Sequence, residues 1–292
     1  MLIINAIFPI ITIAAIGYLW GKKQDGINTR WLTDIVVYLT SPALAFAVII
    51  KADFTWKYFL LVFSSAGIVV LMGLLLTAII FRRLLGHKQQ GAILPIVFLN
   101  SGNLGLSLSF FAFGQSGLTI AVIFHIAMVI LVYSLGIHIL TKDEQPWQVL
   151  KLPHMYACGL ALFFNFANIN MPLAIFRTVE LLGQVTIPLM LFLLGIQLAN
   201  THFGKNWKLA VTGAAMRISI GILGATLAIK LFGLHGETAK VIMLLAILPS
   251  AIITQTLARK YNQNAELCSS IIAVSTLMGL FYIPLTLFFL TV

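Results

Sequence analysis

Charged residues are what this chain has least of: they make up 9% of its 292 residues, while 60% are hydrophobic. A soluble globular domain carries roughly 25% charged and 45–50% apolar residues, so a solvated globular surface is excluded. Cysteine is nearly absent as well. Cys158 and Cys268 both lie in apolar surroundings, which argues against a disulfide framework, and no spaced His/Cys set points to a metal. No metal and no cofactor are therefore expected. HExxH, GxGD and GxSxG motifs are missing, and with them the nucleophile, metal site or acid pair that an intramembrane enzyme requires. The pattern of a cleavable leader is absent too. The first apolar run, LIINAIFPIITIAAIGYLW, has no basic residue before it and is followed by Lys22 and Lys23, the reverse of a secretory signal, so it is read as a retained helix.

What is present is a series of apolar runs of about 20 residues, the length that crosses a bilayer. We count ten, at about residues 2–21, 31–51, 56–81, 91–113, 117–140, 148–168, 174–198, 207–232, 237–258 and 265–291. The expectation is an all-α integral membrane protein surrounded by lipid. Although the formal net charge is +10, Lys and Arg sit almost entirely between the runs, as membrane topology demands. No basic cluster is interleaved with aromatics, so nucleic acid is not an expected partner. Lys22, Lys23, Arg30, Arg82, Arg83, Lys88, Lys142, Lys151, Lys205, Lys208, Arg259 and Lys260 fall near the odd-numbered links. Lys51, Lys57, Arg177, Lys230 and Lys240 fall near the even-numbered ones. This bias places the first group in the cytoplasm and both termini outside, in the cell (inner) membrane.

The polar link TKDEQPWQ at 141–148 divides the runs into two groups of five, residues 1–140 and 149–292. The groups resemble each other. Asp34, Thr40, Pro42 and Phe46 recur as Glu180, Thr186, Pro188 and Phe192; Trp56-Lys57 recurs as Trp207-Lys208; AILP at 92–95 recurs at 246–249. With an odd number of spans in each copy, the second enters the membrane upside down. Two inverted five-helix repeats are a common plan among secondary transporters.

Span 4 contains FLNSGNLGLSLSFF at 98–111, and span 9 contains LPSAIITQTLARKYN at 248–262. Gly costs about 1 kcal/mol in a helix interior, and Asn is also a poor helix former. Opened backbone groups in lipid cost several kcal/mol each unless protein or water satisfies them. Polar interruptions at corresponding places, Asn100-Ser101-Gly102-Asn103 and Thr254-Gln255-Thr256, suggest a solvated cavity at mid-membrane. There the N-termini of half-helices offer N–H groups and partial positive charge to an anion. The plainer reading is small and amide residues packing helix on helix.

LNSGNLGLSL at 99–108, LPSAIITQTLARKYN at 248–262 and SPALAF at 41–46 resemble the auxin efflux carrier family. The resemblance covers nearly the whole chain, including FPIITIAAIGYLWGKK near its start. It implies a ten-helix fold with a scaffold domain and a transport domain, in which broken helices 4 and 9 cross and bind a carboxylate-bearing solute. It also implies a homodimer. The short KDEQP link, in place of the long loop of plant members, resembles bacterial members known as malate or malonate permeases. Plant members have a proline at the crossover of each broken helix; the positions assigned here are Ser107 and Thr254, with Gly105 available for the turn. The substrate-binding candidates are thus Asn100, Ser101, Asn103, Gly105, Ser107, Thr254 and Gln255.

Arg217, near the centre of span 8, joins them either as counter-ion to a substrate carboxylate or as a structural partner of a carbonyl or acid. Asp34 and Glu180, near the starts of spans 2 and 7, either complement helix dipoles or form a proton- or cation-linked site. His125 and His138 lie along span 5 and His154 begins span 6; each is a packing residue or part of a proton relay, with His125 the coupling candidate. Pro42 and Pro188 mark bends that would give matched hinges. The expected function is a secondary transporter moving a small organic anion by alternating access, with a proton or sodium as the candidate coupling ion. The rivals are a sodium-coupled bile-acid-type carrier and a transporter-fold sensor.

Overall fold

The computed structural model of the chain describes residues 2–24, 28–81, 90–141, 146–200 and 206–291. Part of the 141–148 link, and the basic residues Arg82, Arg83, Lys88, Lys142 and Lys205, lie outside the described residues.

Helices dominate. We label them α1 (Leu2–Lys23), α2 (Arg30–Lys51), α3 (Trp56–Leu76) and α4 (Ile93–Val97). A helical stretch, Ser101–Leu140, is kinked at Gly114, where φ 65 and ψ −151 lie outside helical space. A side chain is strained at that positive φ, whereas glycine is not. Its two arms, residues 101–113 and 115–140, are α5 and α6. Then follow α7 (Pro153–Phe166), α8 (Leu173–Ala199), α9 (Trp207–Phe232), α10 (Gly236–Ala246), α11 (Ile253–Lys260) and α12 (Ala265–Thr291). Among the described residues no β-strand forms beyond one isolated bridge.

Among the described residues seven helices are long and apolar enough to cross a membrane, against ten runs in the sequence. The difference has physical causes. Residues 91–113 and 237–258 are each broken into pieces too short to cross alone, α7 has only 14 residues, and Gly114 leaves α5 and α6 as one helical stretch. The outer surface suits lipid: Phe8, Leu19, Leu231, Phe281 and Phe289 are among its most exposed side chains. Trp20, Trp31, Trp56 and Trp207, at or near helix ends, are also exposed, where indole rings favour the membrane interface.

Packing sorts the helices into two groups. In one, α1 lies along α8, and α2 along α7 and the first half of α8; in the other, α9 packs on α3, α10 and α12, while the α5–α6 stretch packs on α3 and α10. The α1–α8 contact is backbone against backbone. A Cβ at Gly17 would sit 2.1 Å from the Phe192 carbonyl oxygen, and one at Gly195 would sit 2.0 Å from that of Ala14. Such close approach is how membrane helices gain dispersion contact without a hydrophobic driving force.

Both expected hinge prolines sit just after a helix irregularity. Pro42 has no N–H for the Tyr38 carbonyl, and α2 widens into a π turn over Val36–Thr40. Pro188 has none for Gln184, and α8 breaks at Val185, between Leu173–Gln184 and Thr186–Ala199. A carbonyl at i−4 left without its N–H donor is a usual cause of such kinks.

Candidate functional site

The centre of the molecule is a pair of unwound segments, one between α4 and α5 and one between α10 and α11. Residues Leu99 and Ser250 pair as an antiparallel bridge. The Asn100 N–H donates to the Pro249 carbonyl at 2.8 Å, and the Ala251 N–H donates to the Phe98 carbonyl at 2.9 Å. Each broken helix thereby satisfies backbone groups that the other has opened, as an apolar interior requires. The Ser250 N–H is taken by Ser275 Oγ of α12 at 3.1 Å, and the Tyr282 hydroxyl donates to the Ile247 carbonyl at 2.8 Å.

Arg217 of α9 is fully buried, and its guanidinium spans the ends of both short helices. Nη1 donates to the carbonyls of Ile96 at 3.1 Å and Val97 at 2.7 Å; Nη2 donates to that of Ala246 at 2.8 Å. These are the C-termini of α4 and α10, where orphan carbonyls carry roughly half a negative charge per helix. Of the two roles open to Arg217 in the sequence, its contacts are with carbonyls; Nε is buried with no protein partner.

Asn100 caps the start of α5. Its Oδ1 accepts the Asn103 N–H at 3.2 Å and its carbonyl accepts the Gly105 N–H at 3.1 Å. Its Nδ2 is buried with no protein partner. The α5 arm begins as a π helix, Ser101–Leu106, whose first N–H groups have no intrahelical acceptor. Ser101 Oγ shares a 2.8 Å hydrogen bond with His125 Nδ1. Asn103 and Gln255 are half-buried.

Ser107 and Thr254 sit elsewhere than assigned. The unwound residues are 98–100 and 247–252, so both lie inside the helices that follow, and the proline in the second break is Pro249. Ser107 Oγ donates to the Asn103 carbonyl at 2.8 Å. The Thr254 hydroxyl donates to the Ala251 carbonyl and accepts from Cys268 Sγ at 3.6 Å. Both hydroxyls support the breaks from within. Gly105 also lies one turn inside α5, where a Cβ would press on Leu245 at 2.9 Å.

The remaining candidates are not gathered here. Asp34 is exposed, and Glu180 forms a 2.6 Å ion pair with Lys51 at the far end of α2. His138 is exposed as well. A cavity of about 750 Å³ reaches the second break at Pro249; α1, α5, α8 and α12 wall it with Ile10, Leu104, Leu194 and Ile283, and Lys22 is at its edge. Pro249, Ser275 and Tyr282 were not singled out from the sequence. Only Pro249 carried a signal there, as part of the repeated AILP.

Apolar helices with a lipid-facing surface around a buried pair of broken helices define a multi-pass integral membrane protein. Comparison with known proteins gives its family. Residues 2–152 and 145–287 match the family described as membrane transport protein, and the chain belongs to that family, one of transporters rather than enzymes. It is 25% identical to an uncharacterized transporter of Methanocaldococcus jannaschii over 98% of both chains. A transporter of the same description from Methanothermobacter thermautotrophicus is 25% identical over 96% of both. Auxin efflux carrier component 1 of Arabidopsis thaliana is 27% identical over 49% of this chain and 23% of the plant protein.

Proposed function

We propose that the protein is a secondary transporter of a small carboxylate anion, bound where the two broken spans cross, and that it works by alternating access. The observation that carries this reading is the charge arrangement at the crossing. Four half-helix ends meet there. Arg217 is bonded to the two C-terminal ends through Ile96, Val97 and Ala246. The two N-terminal ends, of α5 and α11, carry roughly half a positive charge each. Counting Arg217, the crossing holds about one net positive charge, and the buried Asn100 Nδ2 is a spare donor. Both features favour an anion, and a carboxylate suits two converging N–H donors.

In this reading the chain forms ten spans, α4 with α5 and α10 with α11 each making one, as two inverted five-helix repeats. The group α1, α2, α7 and α8 is the scaffold and the rest is the moving part, with Pro42 and Pro188 as hinges. The cavity between the groups, ending at Pro249, gives the solute a route. A homodimer in the cell (inner) membrane with both termini extracytoplasmic completes the proposal. The sodium-coupled alternative has less support, because the carbonyls best placed to hold a cation are engaged by a guanidinium.

The test is thermal stabilisation of the purified protein by malate, malonate, acetate and indole-3-acetate, with and without sodium. We expect one class of acid to raise the melting temperature and Asn100→Ala to abolish that rise while still folding. No effect from any acid would remove the anion reading and favour the sensor or a cation carrier.

A further inference from the structure

Four residues on four elements form a polar chain beside the candidate site. Ser101 at the start of α5 is bonded to His125 of α6 at 2.8 Å. The rings of His125 and His154 of α7 meet edge to face, with centroids 5.7 Å apart. His154 Nδ1 in turn lies 3.4 Å from Ser41 Oγ of α2, while its Nε2 is buried with no protein partner. His154 is buried and half-satisfied and His125 is half-buried; such a polar pair costs stability that an apolar pair of the same shape would not. The chain also joins α5–α6, in one packing group, to α2 and α7 in the other.

No carboxylate faces these rings among the described residues. On α2, Asp34 and Lys51 are exposed; on α3, Lys57 is exposed; on α10, Glu237 is exposed. On α1, Lys22 and Lys23 are exposed. Cys158, one turn beyond His154 on α7, is the buried titratable neighbour. The charge able to offset an imidazolium here is therefore that of an anion at the Asn100–Ser101 break, one residue from the His125 hydrogen bond.

We propose that the His125–His154 pair is a proton site coupled to that anion, so that the cargo crosses with a proton. This rests on the anion reading above. When a carboxylate occupies the break, a neutral imidazole nitrogen takes up one proton and becomes imidazolium, and the carboxylate balances its charge. When the anion leaves, the proton leaves with it. Linkage makes the effect reciprocal: lower pH tightens anion binding by the same factor by which the anion tightens proton binding. Because the rings come from opposite packing groups, the shift that opens the site also separates them and exposes the proton for release.

The test is calorimetric titration of the full-length purified protein with malonate and with indole-3-acetate at pH 7, in two buffers of different ionisation enthalpy. We expect an uptake of about one proton per bound anion. His125→Gln keeps a partner for Ser101 but cannot take a proton, and should bind the anion with uptake falling to zero. His154→Gln should do likewise and serves if the first variant fails to fold. Binding without proton uptake, or uptake unchanged in both variants, overturns the proton site and leaves the anion site standing. No binding of either acid removes the anion site and the proton site with it.

Discussion

Replacing Arg217 by Met separates its structural role from a role in holding substrate. The substitution keeps much of the side chain's length but removes every donor. Three buried carbonyls, of Ile96, Val97 and Ala246, then lose bonds of 3.1, 2.7 and 2.8 Å to a charged group. Hydrogen bonds to charged groups contribute about 1.5–3 kcal/mol each, giving a gross loss of about 4.5–9 kcal/mol for the three. Relief of the buried guanidinium's desolvation offsets several kcal/mol of that. The net cost is about 3–5 kcal/mol, comparable to other cases in which one partner of a buried charged contact is removed. For a chain of this size each kcal/mol moves the melting temperature by about 2 °C, so a fall of about 6–10 °C is expected in detergent. Arg217→Lys keeps the charge but not the fork that reaches both helix ends, and should fall about half as far. The assay is thermal unfolding with and without the stabilising acid. Wild-type melting in Arg217→Met, together with lost stabilisation by carboxylate, would refute the reasoning and make the guanidinium the substrate's counter-ion.

Two further predictions concern packing and surface charge. Gly195→Leu should prevent α1 from seating on α8, because even a Cβ there falls 2.0 Å from the Ala14 carbonyl oxygen; the expected result is loss of monodisperse protein in size-exclusion chromatography, and wild-type behaviour would refute the close packing. Glu180→Gln should leave the melting temperature within about 2 °C of wild type, since its partner Lys51 is half-exposed and surface ion pairs contribute about 0–1 kcal/mol; a large loss of transport with unchanged stability would return Glu180 to the coupling candidates.

The membrane class and the place of the first break were legible in the sequence because both are local. Apolar runs announce bilayer contact, and the Asn-Ser-Gly-Asn cluster falls at the start of α5 where a helix has to begin again. What was not legible depends on contacts between distant residues. Nothing near Arg217 tells that its partners are carbonyls of α4 and α10, because a carbonyl belongs to every residue and leaves no mark in the sequence. The chemistry of Tyr282 and Ser275 is hidden for the same reason: each is one hydroxyl in an apolar helix until the break packs against it.

The second break shows how a local match misleads. Aligning the two AILP segments places the interruption of span 9 at Thr254, several residues too late. The Leu99–Ser250 bridge keeps instead the spacing that separates Trp56 from Trp207, the first residues of α3 and α9. Under that spacing Pro249 corresponds to Phe98, so the first AILP lies across α4 while the second lies at the break itself. The reason is in the hydrogen bonding. A break needs a partner for each opened group, and the bonds Asn100 to Pro249 and Ala251 to Phe98 fix the register whatever the surrounding letters. Position in span 9 is therefore set by pairing with span 4 and by Arg217, and any further candidate for ligand contact should be sought at 249–252 before 254–256.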